Sequence, residues 1–512
     1  MTIQPASPKD VIVALHPLDL AVIGAYFLAM IGIGFWSMRM ARTREDYLVA
    51  GRRLQFPMFF ACMAAMAVGG AVTVGGTGKG YQDGIAGLWV GGSLGMGLIL
   101  LGMLVSSKLN RLRALSINEV IERNYGATAR VFGAVLTIIY TVALSVVQVV
   151  AMGSILAGIL GIDTRLAMVY AGLVVVFYTF LGGMWSVTLT DIVQFVIKTL
   201  GILLLAPIFV LADDRVGGLG GLIDKVPASH WDLGGYGRMG TLYWILLYVP
   251  GLVIGQDIWQ RVFTAKSSRV AQTGTLAAGI YSIVYALAAV LLGMAVLAAG
   301  IKVDKPGLVF EVGVVSFLPM GIAGLLLAAA MAAAMSVASG TILAASTVVY
   351  NDLYLRFVRG QKHAEIDEAR TDAEGHVHTA TDVWINRGIA LALGVVIIAL
   401  SVVIEDIFKA LDLSYAFLSG CVFVPVFAAF VLKRVSPRAG LVSLALSFLG
   451  VASTMVYGRV SGAADYSIGG NYPIMIGMAL GLVSYVVVHL VDRDKIAPNV
   501  DPDLADIEEL PI

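Results

Sequence analysis

Followed residue by residue, the chain alternates between long apolar runs and short charged segments. A helix rises about 1.5 Å per residue, so roughly 20 apolar residues cross the hydrocarbon core of a bilayer. Thirteen runs reach about that length: 19–38, 56–79, 84–106, 131–157, 163–181, 187–211, 241–260, 271–300, 320–348, 385–404, 410–432, 439–457 and 471–491. Two other segments read differently. Residues 116–125 (SINEVIERNY) predict a short amphipathic helix at the cytoplasmic face. Residues 361–382 form an acidic loop that carries His376 and His378. Paired histidines suit a metal, but no further ligands accompany them, and a solvated loop is the plainer reading.

Composition narrows the class. The 512 residues are 59% hydrophobic and 13% charged, where ordinary globular chains carry about 25% charge. That excludes a soluble enzyme, a disordered chain, a coiled coil and a disulfide-rich secreted domain. An all-α polytopic membrane protein remains, and the 58 glycines fit tightly packed spanning helices. With 34 basic and 34 acidic residues there is no footprint for nucleic acid. Cys62 and Cys421 lie in apolar runs and read as packing residues. Residues 1–17 lack a basic stretch followed by a cleavage site, so the first run is expected to stay as a helix.

Basic residues set the orientation. Twenty-three lie in one alternate set of loops and ten in the other, with Lys198 inside a span. The excess marks the cytoplasmic side, so the N-terminus is expected outside and the C-terminus inside, in a bacterial inner (cytoplasmic) membrane.

Irregular backbone at membrane depth survives only where it is buried in protein or lines a cavity. Span 2 is rich in it, with Gly69, Gly70, Gly75, Gly76, Gly78 and Gly80, and span 7 carries Pro250, Gly251 and Gly255. The two spans stand five apart. Matching interruptions in two halves point to a transporter site, and an odd offset inverts one half against the other. The expected organisation is 1–54, an outer segment with peripheral helix 1; 55–211, a first repeat of helices 2–6; 212–240, an external loop; 241–432, a second repeat of helices 7–11 with a cytoplasmic loop at 351–384; and 433–512, peripheral helices 12–13 with a cytoplasmic tail.

Polar residues inside spans are functional candidates, since each costs at least ~2.5 kcal/mol to insert when charged. Asp191 begins span 6 and Lys198 follows on the same helical face; they serve an ion or relay, or only pair with each other. Ser336, Ser339 and Gly340 share a face of an Ala-rich span 9. Their hydroxyls can ligate a cation or bond back to the helix, and hydroxyls opposite unwound carbonyls of span 2 favour a cation. Gln256 is a candidate to face substrate, while Asp257 and Arg261 are spaced to pair. Gln148 is a lone polar residue of span 4, and Asp412, Ser414, Tyr415 and Ser419 lie in span 11.

These residues carry a family likeness. The run Gly182-Gly183 to Thr190-Asp191-Ile192-Val193-Gln194 resembles the signature of the sodium:solute symporter family, which includes bacterial sodium/proline, sodium/galactose and sodium/sialate symporters. Gly78-Lys79-Gly80-Tyr81, Gln260-Arg261 and Asn351-Asp352-Leu353-Tyr354 match it in order and spacing. The resemblance implies about thirteen helices in a five-plus-five inverted repeat of the leucine-transporter type. It places a sodium site on the carbonyls of Ala65, Val68 and Ala333 and the hydroxyl of Ser336. A second hydroxyl of that site falls on Val337, which has none, leaving Ser339 or water to complete the shell. Asp191, Ser336 and Ser339 match a second sodium site of some members, with Gly340 where a further serine stands. The proline-type aspartate falls on Ala67 and the galactose-type glutamate on Gly91, so neither solute is favoured.

The expected function is a sodium-coupled secondary symporter that imports a small organic solute by alternating access. Na⁺ is its coupling ion rather than a tight cofactor, and no protein partner is implied. The candidate substrate residues are Gly69, Gly70, Thr73, Gln148, Gln256, Ser414 and Tyr415. Proton coupling on the same fold is the first alternative, given Val337. A transporter-like sensor would need a signalling domain, and only about twenty residues follow Asp492. A membrane enzyme would need clustered acids, histidines or metal ligands at one face, and the sequence offers none.

Overall fold

The computed structural model describes residues 15–360 and 380–492, apart from Arg42, Arg113, Glu405 and Gly469. His376 and His378, and most of the acidic loop, lie outside the described residues. In lipid every backbone N–H and C=O must be satisfied within its own segment, so the apolar runs fold as helices. The principal ones, in order, are α1 (Pro17–Ser37), α2 (Phe56–Ala67), α3 (Gly76–Asp83), α4 (Leu88–Leu104), α5 (Ile117–Tyr125), α6 (Ala127–Leu160), α7 (Thr164–Lys198), α8 (Gly237–Ile254), α9 (Gln256–Val262), α10 (Ser268–Ala298), α11 (Val309–Phe317), α12 (Ile322–Val348), α13 (Ala380–Val403), α14 (Ile407–Phe417), α15 (Phe423–Val431), α16 (Pro437–Ser461) and α17 (Tyr472–Val491).

Among the described residues, eleven helices are long and apolar enough to cross a membrane. Two of them are folded on themselves. The helix continuing from α7 covers Thr164–Ala212, 49 residues, or about 73 Å of rise against a core of ~30 Å. It turns at Gly183, where φ is 56° and ψ is −139°. A side chain there would be strained and would meet the ring of Tyr47 at 2.5 Å. The runs 163–181 and 187–211 are the two arms of this turn. Likewise Ala71–Leu104 turns at Gly84, with φ 65°.

At the centre lies α12, which is alanine-rich and buried along nearly its whole length, from Leu326 to Val348. It packs against α6, α7 and α1, and its small side chains let those helices approach closely. On the other flank α10 packs along α4, α3 and α2, while α14 lies on α6. The α16–α17 pair is peripheral. Its large exposed apolar residues, among them Leu449, Val460, Leu482 and Leu490, form a lipid-facing surface.

Both expected interruptions are present. α2 ends at Ala67, Val68 leaves helical geometry (φ −117°, ψ 88°), and the chain re-enters through a π-helical stretch, Ala71–Gly75. In span 7 the helix runs straight through Pro250 and breaks only at Gly255 (ψ 126°). Pro250 is tolerated where neighbours re-satisfy the backbone, and Gly251 is a packing glycine against the ring of Tyr415. The short helix α5 also departs from expectation. Ser116 caps it by accepting the Glu119 amide at 3.3 Å, but Asn118, Glu119, Val120, Ile121 and Asn124 are all buried. It is wedged among α6, α15 and α16 rather than lying on a solvated face.

Candidate ion and substrate site

The break in α2 meets α6, α7 and α12 in the middle of the bundle. Gln148 of α6 holds it open, its Oε1 accepting the Gly70 amide at 2.9 Å. Thr73 donates to the carbonyl of Gly69 at 3.1 Å, and the hydroxyls of Thr73 and Tyr285 lie 2.9 Å apart. Gly69 fits because a Cβ there would stand 2.8 Å from Val337 and 2.9 Å from Gln148. Four candidate substrate residues, Gly69, Gly70, Thr73 and Gln148, are thus one cluster.

The other three lie apart from it. Gln256 sits just after the Gly255 break, where its amide donates to Leu115 O at 2.9 Å and accepts the Ile117 amide at 2.8 Å. Both of its polar atoms tie α9 to the start of α5. Ser414 donates to the Tyr140 carbonyl at 2.9 Å. Tyr415 packs edge-on to Tyr140 and Tyr248, with centroids 5.5 and 5.0 Å away.

The cation candidates have unexpected partners. Lys198 is fully buried, and its Nζ donates to Ala65 O at 2.7 Å and Val68 O at 3.3 Å. These are the carbonyls on which the resemblance puts sodium. Asp191 does not pair with Lys198. Its Oδ2 receives Arg261 Nη2 at 3.0 Å and its Oδ1 receives the Ser336 hydroxyl at 2.6 Å. Arg261 in turn does not pair with the Asp257 carboxylate. It donates to the Asp257 backbone oxygen at 3.3 Å, while that carboxylate takes the Tyr140 hydroxyl at 2.8 Å. Ser339 bonds back to Ser336 O at 3.1 Å, along its own helix.

Gly340 explains how Arg261 reaches Asp191. A Cβ at Gly340 would stand 2.5 and 2.6 Å from the two terminal guanidinium nitrogens. A serine at this position would require the guanidinium to shift. Seven residues, about 10.5 Å of rise, separate Asp191 from Lys198 on one helical face, and each finds its hydrogen-bond partners on other segments of the chain.

A hard cation asks for convergent oxygen lone pairs. In this geometry two carbonyls are engaged by an ammonium, the Ser336 proton points to a carboxylate, and Val337 turns a methyl toward Gly69. The donor set does not fit a sodium ion while Lys198 occupies it. Among the described residues no cluster of three or more His, Cys, Asp or Glu suits another metal.

A cavity of about 310 Å³ leads toward the break, lined among others by Val74, Gly75, Lys79, Ser154, Pro306 and Phe408. Ser154 stands six residues beyond Gln148 on α6, about 9 Å along the axis. At the mouth Lys79 pairs with Asp83 at 3.0 Å and lies 5.6 Å from the centroid of Phe408.

Comparison with known proteins matches this architecture. The profile of the sodium:solute symporter family matches residues 47–446. The osmoregulated proline transporter OpuE of Bacillus subtilis (strain 168) is 26% identical over 491 residues, covering 92% of this chain and 94% of its own. The sodium/proline symporter of Escherichia coli (strain K12) is 25% identical, covering 93% of each chain. The chain spans 64% of the length of high-affinity choline transporter 1 of Caenorhabditis elegans, at 26% identity over 67% of this chain. Among solved structures, a substrate-bound, outward-open Na⁺-coupled sialic acid symporter superposes with a TM-score of 0.76 at 17% identity, covering 94% of this chain and 99% of its own. MhsT in complex with L-phenylalanine gives a TM-score of 0.51 at 15% identity, covering 85% of this chain and 98% of its own. The chain therefore has the five-plus-five inverted-repeat fold of the leucine-transporter type, is a multi-pass membrane protein, and belongs to the sodium:solute symporter family, a family of Na⁺-coupled symporters of small solutes.

Proposed function

We propose that this chain imports a small organic solute across the bacterial inner membrane by sodium-coupled alternating access. One observation carries the reading: α2 breaks at Val68–Gly70 beside α12, in the middle of the bundle. An unwound backbone there has carbonyls and amides that only a side chain, ion or solute can satisfy. The solute would enter through the cavity above Val74 and Gly75 and meet Gly69, Gly70, Thr73 and Gln148. The cavity volume of about 310 Å³ suits a small solute, near the lower end of ligand pockets. The relatives named above handle proline, choline and sialic acid, and support a small polar or zwitterionic solute without choosing among them.

The test is uptake by the full chain in vesicles, screened against amino acids, quaternary amines, monocarboxylates and sugars. Accumulation above equilibrium under an inward Na⁺ gradient, absent with K⁺, is the expected result. Uptake that ignores Na⁺ and collapses with a proton ionophore would replace sodium as the driving ion. The orientation is part of the same proposal, with the 215–238 loop outside and the 361–382 loop in the cytoplasm. Single cysteines in the two loops should label from opposite faces with an impermeant thiol reagent; labelling of both from outside overturns it.

A further inference from the structure

Lys198 is buried with no ion pair among the described residues. The acid on its own helix face, Asp191, is already engaged by Arg261 and Ser336. An ammonium buried without a contacting carboxylate is expensive, and an ammonium has three donors to satisfy. Two of them end on Ala65 O and Val68 O, the last acceptors before the chain leaves helical geometry at Val68. Those two oxygens have lost their own helical partners and need a positive group. The lysine has in turn been placed to supply it. Immediately after Lys198 the helix widens into a π-helical stretch, Thr199–Leu205, a local irregularity that often marks a functional position.

The facing helix is adapted in the same sense. Where an ion would need another oxygen, α12 offers Val337, whose methyl lies close to Gly69. One residue turn away, Gly340 clears space for the guanidinium of Arg261 on Asp191. The carbonyls of Ala65 and Val68 and the carboxylate of Asp191 are thus each met by a cation fixed to the chain.

We propose that Lys198 is a tethered cation seated on the carbonyls of Ala65 and Val68, and that Na⁺ and this ammonium exclude one another at that seat. Two positive charges cannot share two oxygens at bonding distance, so Na⁺ enters only when the lysine swings away. In the ion-free carrier the ammonium pins the broken helix to α7; it thereby sets how much sodium the carrier needs. This deepens the sodium-coupled reading and rests on it.

The experiment compares the full-length wild type with Lys198→Met and Lys198→Arg in NaCl and KCl at one ionic strength. Uptake in vesicles and thermal unfolding in detergent are the two readouts. Lys198→Met, which keeps the length and loses the charge, should respond to Na⁺ at a concentration at least tenfold lower than the wild type. Lys198→Arg, which keeps a tethered cation, should not. A Lys198→Met protein that is stable only in NaCl is the same result in its strongest form. If that variant is lost in both salts, Lys198→Gln, whose amide still reaches one carbonyl, takes its place with the same expectation. Wild type and neutral variants responding to Na⁺ alike would overturn the proposal while leaving sodium coupling intact. A wild type indifferent to Na⁺ whose neutral variant acquires a response would uphold the tethered cation and end the sodium reading of the wild-type seat. Indifference in both would end the two together.

Discussion

Two buried cations in this molecule are treated in opposite ways. Arg130, near the start of α6, is saturated with acids. Its Nη2 reaches Asp352 at 2.7 Å, its Nη1 bonds Glu122, and it also donates to Asn351 O. The acids are secured in turn: Asp352 by Asn118 at 2.8 Å and Ser116 at 3.0 Å, Glu122 by Arg356 at 2.9 Å. Lys198, at the broken helix, donates to two backbone oxygens and has no ion pair among the described residues. A cation with matched acids and full hydrogen bonding locks elements together. A cation on unwound carbonyls holds a place that another cation can take. The first lattice joins α5, α6 and the stretch that follows α12 into a fixed platform; the second lies where the backbone itself must change.

The largest way to break this contrast is to strip the saturated site. Arg130→Met leaves the Asp352 and Glu122 carboxylates buried with reduced compensation, and removing one partner of a buried pair costs about 3–5 kcal/mol. The expected outcome is severe loss of folded protein, measured by yield and thermal unfolding in detergent. Combining it with Asp352→Asn should recover part of the loss, because the stranded charge is gone. A mild effect of Arg130→Met would show that the lattice is not what holds the platform.

Next comes Gly340→Ser. The new side chain would collide with the guanidinium of Arg261, whose nitrogens would lie 2.5–2.6 Å from its Cβ. Overpacking of this kind costs about 1–3 kcal/mol. Transport should fall about tenfold or more with a lowered unfolding temperature, and Gly340→Ala should act in the same direction. Normal transport and stability in Gly340→Ser would mean that the Arg261–Asp191 pair has room to move aside.

Ser336→Ala should be smaller. It removes one hydrogen bond of 2.6 Å to Asp191 while the Arg261 pair remains. A roughly tenfold rise in the sodium concentration for half-maximal uptake is expected, ~1.4 kcal/mol. An unchanged sodium response would place Ser336 outside the ion pathway.

The two regions also differ in how far the sequence discloses them. Apolar length alone placed the helices, and glycine clustering placed the break in span 2, because both follow from the cost of unsatisfied backbone in lipid. Of the three residues expected to interrupt span 7, Pro250 and Gly251 stay helical, since proline inside a packed bundle need not end a helix, and the break falls on Gly255. The seven-residue step from Asp191 to Lys198 put both on one face, but their partners come from elsewhere in the chain. Arg261 is 70 residues from Asp191, and Ala65 is 133 from Lys198. Such pairings depend on which helices touch, and spacing within one helix does not reveal that. Family resemblance singled out the carbonyls of Ala65 and Val68, yet it could not say that a lysine would sit on them. The departures at Val337 and Gly340 were legible one at a time, and only the packing joins them into one arrangement.

The smallest expected effect concerns acid and this platform. Glu122 is half-buried on α5, outside the spanning helices. Burial by itself would raise its carboxyl, but the hydrogen bonds and charges of Arg130 and Arg356 outweigh that and hold it below the ordinary value of 4.5. A group depressed by folding adds stability that is complete above its unfolded value and is lost as pH falls through its folded value. The platform should therefore be insensitive to Glu122 from pH 7 down to about 4.5 and weaken only below that. Arg130 retains Asp352 when Glu122 is protonated, so the loss should stay within about 1 kcal/mol, the range of partly exposed pairs. Thermal unfolding in detergent at stepped pH measures it, with Glu122→Gln as the comparison. The substitution should lower the unfolding temperature at neutral pH and flatten the decline below pH 4.5. A decline as steep in Glu122→Gln as in the wild type would assign the acid sensitivity to other carboxylates and leave Arg356, rather than Glu122, as the spare part of the lattice.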